Sequence, residues 1–179
     1  MEQYRKKTRA SFLDYNGGDY FVTICTKNRA HYFGKIQTGQ MFLSEIGEFT
    51  KLQLNSASEH CENIRILLSV VMPNHIHAIV NLTNDAGSLP MNEGNIMQRS
   101  PNPALRADPT CQRHVPTLSR YISSLKGAVT KFAKSNNLDF GWQKGYFDHC
   151  IRGHQDGNRI AEYIENNVAR WHDDCFYDR

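Results

Sequence analysis

The chain has 179 residues, 40% of them hydrophobic, with 21 Lys and Arg against 18 Asp and Glu and a formal net charge of +3. That is enough to bury one core and too little for two, so residues 1–179 read as a single domain. No stretch has the apolar length of a signal peptide or a membrane span, which sets membrane classes aside and suggests the cytoplasm, and the 5 cysteines, odd in number and without a C-x-x-C pair, exclude a disulfide framework and a thiolate zinc site.

The elements follow in chain order. Arg5, Lys6, Lys7 and Arg9 crowd the N-terminus. YFVTICT (20–26), rich in β-branched and aromatic residues and preceded by the turn signal NGGD, reads as a strand. SEIGEFTKLQLNSASEH (44–60) opens on a capping Ser44 and carries Ile46, Phe49 and Leu52 at helical spacing. IRILLSVVM (64–72) reads as a buried strand, Pro73-Asn74 as a turn and HIHAIVNL (75–82) as the returning strand of a hairpin. Residues 83–116 hold five of the 6 prolines and no aromatic residue, which predicts a long irregular loop. LSRYISSLKGAVTKFA (118–133) puts Leu118, Ile122, Leu125, Val129 and Phe132 on one stripe of an amphipathic helix. GYFDHCIRG (145–153) gives a short strand, and QDGNRIAEYIENNVARW (155–171) a last helix with Ile160, Ile164 and Val168 inward. The order β, α, β, β, α, β and a further helix is that of an α+β, ferredoxin-like split βαβ unit: an antiparallel sheet with two helices on one face.

Side chains alternate along a strand, so His75 and His77 share a face while Ile76 points away. Two imidazoles so placed can hold one divalent metal, or can simply be hydrogen-bonded histidines on a half-buried strand. Tyr163 and Asn167, one helical turn apart, pair a nucleophile with an oxygen ligand. Tyr121, the main rival, has Leu125 at that spacing. The bland alternatives are a rim aromatic for Tyr163 and a capping residue for Asn167. The basic groups, among them Arg120 and Lys126 in a segment with no acid, fit a phosphate-backbone partner as well as they fit solvated faces.

YFVTICTKNRAHYFG, VVMPNHIHAIV, LKGAVTK and WQKGYFDHCIRGHQDGNRIAEYIENNVARW resemble, in order and spacing, the IS200-like tyrosine transposases of the HUH type, above all the branch associated with repetitive extragenic palindromes. The resemblance spans nearly the whole chain outside 83–116. It implies that His75, His77 and Asn167 bind a divalent metal, Mg²⁺ or Mn²⁺, and that Tyr163, carried on the C-terminal helix, attacks a phosphate of single-stranded, hairpin-bearing DNA. A 5′-phosphotyrosine link and a free 3′-hydroxyl would result. Arg5, Lys6, Lys7, Arg120, Lys126, Lys144 and Arg152 are candidate DNA contacts, and His149 a further site residue with metal, phosphate or a structural hydrogen bond as its open roles. The chain departs from the family at Val168, where the family has proline. Relatives act as monomers or homodimers, and both stay open. A water-using metal phosphodiesterase and a non-catalytic hairpin-binding regulator derived from a transposase are the alternative classes. Replacing His77 by Ala is expected to stop cleavage and spare the fold, because an imidazole here reads as exposed.

Overall fold

The computed structural model describes residues 18–57, 63–83 and 118–177. Arg5, Lys6, Lys7 and nearly all of the proline-rich stretch lie outside them. Among the described residues, six strands and three α-helices follow in order: β1 Gly18–Cys25, β2 Gly34–Gln37, β3 Gln40–Leu43, α1 Glu45–Asn55, β4 Ile64–Val71, β5 His75–Leu82, α2 Leu118–Ser135, β6 Phe147–Cys150 and α3 Gly153–Asn166. A four-stranded sheet runs β4-β5-β1-β6, with every neighbouring pair antiparallel. With α1 leading into β4 and α2 into β6, this is the split βαβ arrangement expected from the sequence. No helix among the described residues is long and apolar enough to cross a membrane.

The sheet is covered on both faces. Tyr20, Val22 and Ile24 of β1 and Ile76, Ala78, Val80 and Leu82 of β5 point toward α1 and α2, where Ile46, Leu54, Leu118, Ile122, Leu125 and Val129 close the main core. Phe49 and Phe132 stack between the two helices with ring centroids 4.2 Å apart. On the opposite face Ile160 and Ile164 of α3 pack on Ile79, with Phe21, Leu68 and Val70 around them. Burial on both sides explains why β5 reads as an almost unbroken apolar run, interrupted by its histidines and by Asn81 near its end.

Strand β4 changes faces partway. A bulge between Ile66 and Leu68 shifts its register, so Ile64 and Ile66 serve the main core while Leu68 and Val70 turn to the α3 side. Side-chain direction has a period of two, so one extra residue swaps the faces. Val70 thereby becomes the cross-strand partner of His77.

The hairpin β2–β3 is an addition to the sequence-based expectation. Thr38 and Gly39 both take positive φ, at 50° and 73°, as a tight two-residue hairpin turn requires. Its GKIQ and QMFL strands are 4 residues each, too short for alternation to stand out. The first predicted helix, expected to reach residue 60, ends at Asn55 with Ser56 as its C-cap, and 58–60 lie outside the described residues.

Candidate metal centre and tyrosine site

The turn before β5 fixes the first histidine. Asn74 is buried, its carbonyl accepts from the Thr26 backbone, and its side-chain amide donates to the Phe176 carbonyl at 2.8 Å. That leaves Asn74 Oδ1 as a pure acceptor, 2.9 Å from His75 Nδ1. His75 Nδ1 therefore carries the proton, and Nε2 holds a bare lone pair. His77 Nδ1 lies 2.9 Å from the Thr23 hydroxyl on β1, directly across the strand pair, and its Nε2 faces the Tyr163 hydroxyl at 3.2 Å.

Both imidazoles are enclosed, at 0% and 1% exposure. This corrects the picture of an exposed His77 whose loss spares the core: α3 and residues 174–176 cover the strand at that point. Burial, and then the nearby Arg29 charge, push His75 down to about 3. Burial, and then His75, hold His77 well below the usual histidine value, while Asp174 acts in the opposite direction. Both rings are neutral at physiological pH, the state in which imidazole ligates metals.

Tyr163 comes from α3. Its ring meets Phe21 edge-on at 6.2 Å, and Phe21 in turn stacks on His77 at 5.2 Å. One turn later Asn167 is buried, and its amide donates to Asp174 Oδ2 at 2.9 Å. The helix stops at Asn166 and continues into turns, with Arg170 N–H bonding the Asn166 carbonyl, so Val168, where the resemblance implied a proline, does not lengthen it. Tyr121, by contrast, sits in the core under α2 on the far face of the sheet.

Asp174 is the residue that sequence reasoning missed. After α3 the chain folds back through a short 3-10 turn, Trp171–Asp173, anchored by buried Trp171. This brings the Asp174 carboxylate 3.5 Å from the Tyr163 hydroxyl and 3.9 Å from His75 Nε2. His75, His77 and Asp174 offer ligand atoms that all lie within 4.8 Å of one another. Phe176 then covers both rings, with centroids 4.5 Å from His75 and 6.0 Å from His77. Only the acidic pair in WHDDCF hints at this, and no spacing rule ties it to β5.

The donor set fits a divalent cation. His75 Nε2 and Asn167 Oδ1 are buried with no hydrogen-bond partner among the described residues, a costly state that a cation beside them would relieve. Two neutral imidazoles, an amide oxygen and one carboxylate suit Mn²⁺ or Mg²⁺. The phenol is not ready on its own: burial, and then the Asp174 charge, push Tyr163 up to about 12.

The other sequence candidates are dispersed. Lys126 spends its ammonium on the carbonyls of Gln143 and Gly145, at 2.8 and 2.6 Å, and lies over the Trp142 ring, so it braces the 142–146 loop. Arg120, Lys144 and Arg152 are exposed, on α2, on that loop and before α3. His149 lies on β6 and bonds Asp156 rather than the histidine pair.

No family model matches the sequence. An uncharacterized protein of Haemophilus influenzae is 31% identical over 180 residues, spanning 97% of this chain and 93% of the relative. Among solved structures, a REP-associated tyrosine transposase bound to a REP hairpin superposes with a TM-score of 0.52 at 18% identity, over 96% of this chain and 74% of that one. At that identity the likeness is one of fold.

Proposed function

We propose that this chain, which belongs to the same family as the uncharacterized Haemophilus influenzae protein, cleaves and rejoins single-stranded DNA through a covalent bond to Tyr163. The relative brings no chemistry with it, so the reading rests on the site. Its main support is the Tyr163 hydroxyl, 3.2 Å from His77 Nε2, at the edge of a buried cluster of neutral histidines and a carboxylate. A cofactor-free hydrolase has no use for such a donor set, and a water-using phosphodiesterase has no use for a phenol held there.

His75, His77, Asn167 and Asp174 would hold the divalent metal, which supplies charge stabilisation and alignment for a phosphate oxygen. The chain's own groups do the rest. Phe21 and α3 fix the ring of Tyr163, and its oxygen attacks phosphorus. The new Tyr163 O–P bond forms as the bond to the 3′-oxygen breaks, and the phenol's proton ends on that 3′-oxygen. No water is consumed, so the reverse step can join the strand to a new 3′-hydroxyl. A fold shared with a transposase solved on a DNA hairpin, and exposed Lys144 and Arg152, support single-stranded hairpin DNA as substrate.

The test is incubation with labelled hairpin DNA and Mn²⁺, followed by a denaturing gel. The native protein is expected to give a protein-linked strand, Tyr163→Phe none, and Tyr121→Phe an unchanged amount. Cleavage without an adduct, or an adduct that survives Tyr163→Phe, would overturn the mechanism.

A further inference from the structure

Beyond the end of β1 a basic groove of about 600 Å³ opens between residues 27–29 and 142–144. Lys27, Arg29 and Lys144 line it, all three exposed, and no acidic side chain does. Its two walls are tied to each other through the backbone: Lys27 N–H donates to the Gly141 carbonyl at 2.8 Å, Gln143 N–H donates to the Cys25 carbonyl at 2.9 Å, and Thr26 bridges Trp142. Walls fixed in this way cost a ligand little ordering.

The three cations are not equivalent. Arg29 donates to the Cys175 carbonyl at 3.0 Å and lies 5.5 Å over the Phe176 ring, so it joins the groove to the segment that covers His75. Lys27 and Lys144 have no side-chain partner among the described residues, and their ammonium groups stay open to an incoming acceptor. The Lys27 stem lies across Gly141, where a Cβ would stand 3.2 Å from it, so the missing side chain makes room for the lysine to lie along the wall. Trp142 adds an apolar surface between the two lysines. Paired ammonium groups with no carboxylate, beside an aromatic wall, suit the phosphates and bases of a flexible strand. The groove also abuts the site. Lys27 follows Cys25, the register partner of His75, by two residues, which is at most roughly 7 Å of chain. A strand with one phosphate at the histidines would carry the neighbouring phosphates into the groove.

We propose that Lys27 and Lys144 hold backbone phosphates of the single-stranded segment flanking the scissile one, so that this groove is the track by which the strand reaches the site. The proposal rests on the strand-cleavage reading and adds the path of the substrate to it. Phosphate contacts carry no base code, so the track is indifferent to sequence.

The experiment titrates Tyr163→Phe protein, which lacks the attacking oxygen, with a fluorescent DNA hairpin bearing single-stranded tails at both ends, of thymine or of mixed sequence, and with the same hairpin blunt-ended. Adding Lys27→Gln and Lys144→Gln together is expected to weaken binding of the tailed DNA about tenfold whatever the tail, to make the slope of log affinity against log salt shallower by about 1.4, and to leave the blunt hairpin unaffected. Lys131→Gln with Lys134→Gln removes the same charge from exposed positions of α2, on the other face of the sheet, and is expected to leave binding of either DNA unchanged. Lys144→Gln alone carries the test, with half the change in slope, if Lys27→Gln melts early. Equal weakening by the two pairs, an unchanged salt slope, equal weakening of the blunt hairpin, or no binding of tailed DNA by the parent would overturn the track. Failure of the cleavage reading is seen separately, as native protein that binds the tailed hairpin and forms no adduct.

Discussion

His75 and His77 owe their chemistry to being dry, and dryness makes them acid-sensitive. Unfolded, each titrates near ~6.5, whereas in the fold burial holds both far lower. As pH falls below about 6.5 the unfolded chain takes up protons that the folded chain refuses, so stability is complete above that value and is lost on the way down, by up to about 1.4 kcal/mol per pH unit for each ring. Melting temperature of the metal-free protein should be level above neutrality and drop steadily in mild acid, a profile that thermal scans in chelator would read directly. His77→Ala is expected to cost about 1–3 kcal/mol, because it strands the Thr23 hydroxyl and opens space beside Phe21. It should also remove the rise in melting temperature that Mn²⁺ confers on the native protein. Equal Mn²⁺ stabilisation in the two proteins would exclude His77 as a ligand.

At the scale of elements, β5 was legible to the residue, since PNH marks its start and an apolar run on both sides of the histidines marks a strand covered on two faces. The helical stripes of α2 and α3 were legible too, though α3 begins at Gly153 rather than residue 155 and passes into turns before Trp171. Less visible were features made by return of the chain: the β2–β3 hairpin, whose strands are only 4 residues each, and Asp174, whose place depends on Trp171 packing beside His75, with ring centroids 6.0 Å apart. Lys126 looked like a phosphate contact because sequence shows charge without showing carbonyls nearby. Helix α1 offers a test of packing on the face away from the site. Ser44 caps it through the Gly47 N–H at 3.1 Å, and a Cβ on Gly47 would run into the Phe33 carbonyl. Gly47→Ala should lower stability by roughly 2 kcal/mol in urea denaturation, with Mn²⁺ affinity unchanged.

For the whole molecule, one chain supplies His75, His77, Tyr163, Asn167 and Asp174 to one site. Two inactive variants, Tyr163→Phe and His77→Ala, should therefore fail to restore cleavage when mixed; recovery of activity in the mixture would mean that the tyrosine acts on a neighbouring copy's histidines. Affinity for single-stranded DNA should fall steeply with salt, since exposed basic groups rather than base edges supply most of it, and titrations across ionic strength would expose a flat response. Tyr163 and His77, in contact through the hydroxyl, lie 86 residues apart in the chain. Synthesis runs from the N-terminus, so the histidine strand can pair with β1 and β4 long before α3 has left the ribosome. On the strand-cleavage reading, a nascent chain would hold the histidines of the site before it holds Tyr163. The proposed reactivity toward DNA would then arrive last, after the sheet that positions the histidines has formed.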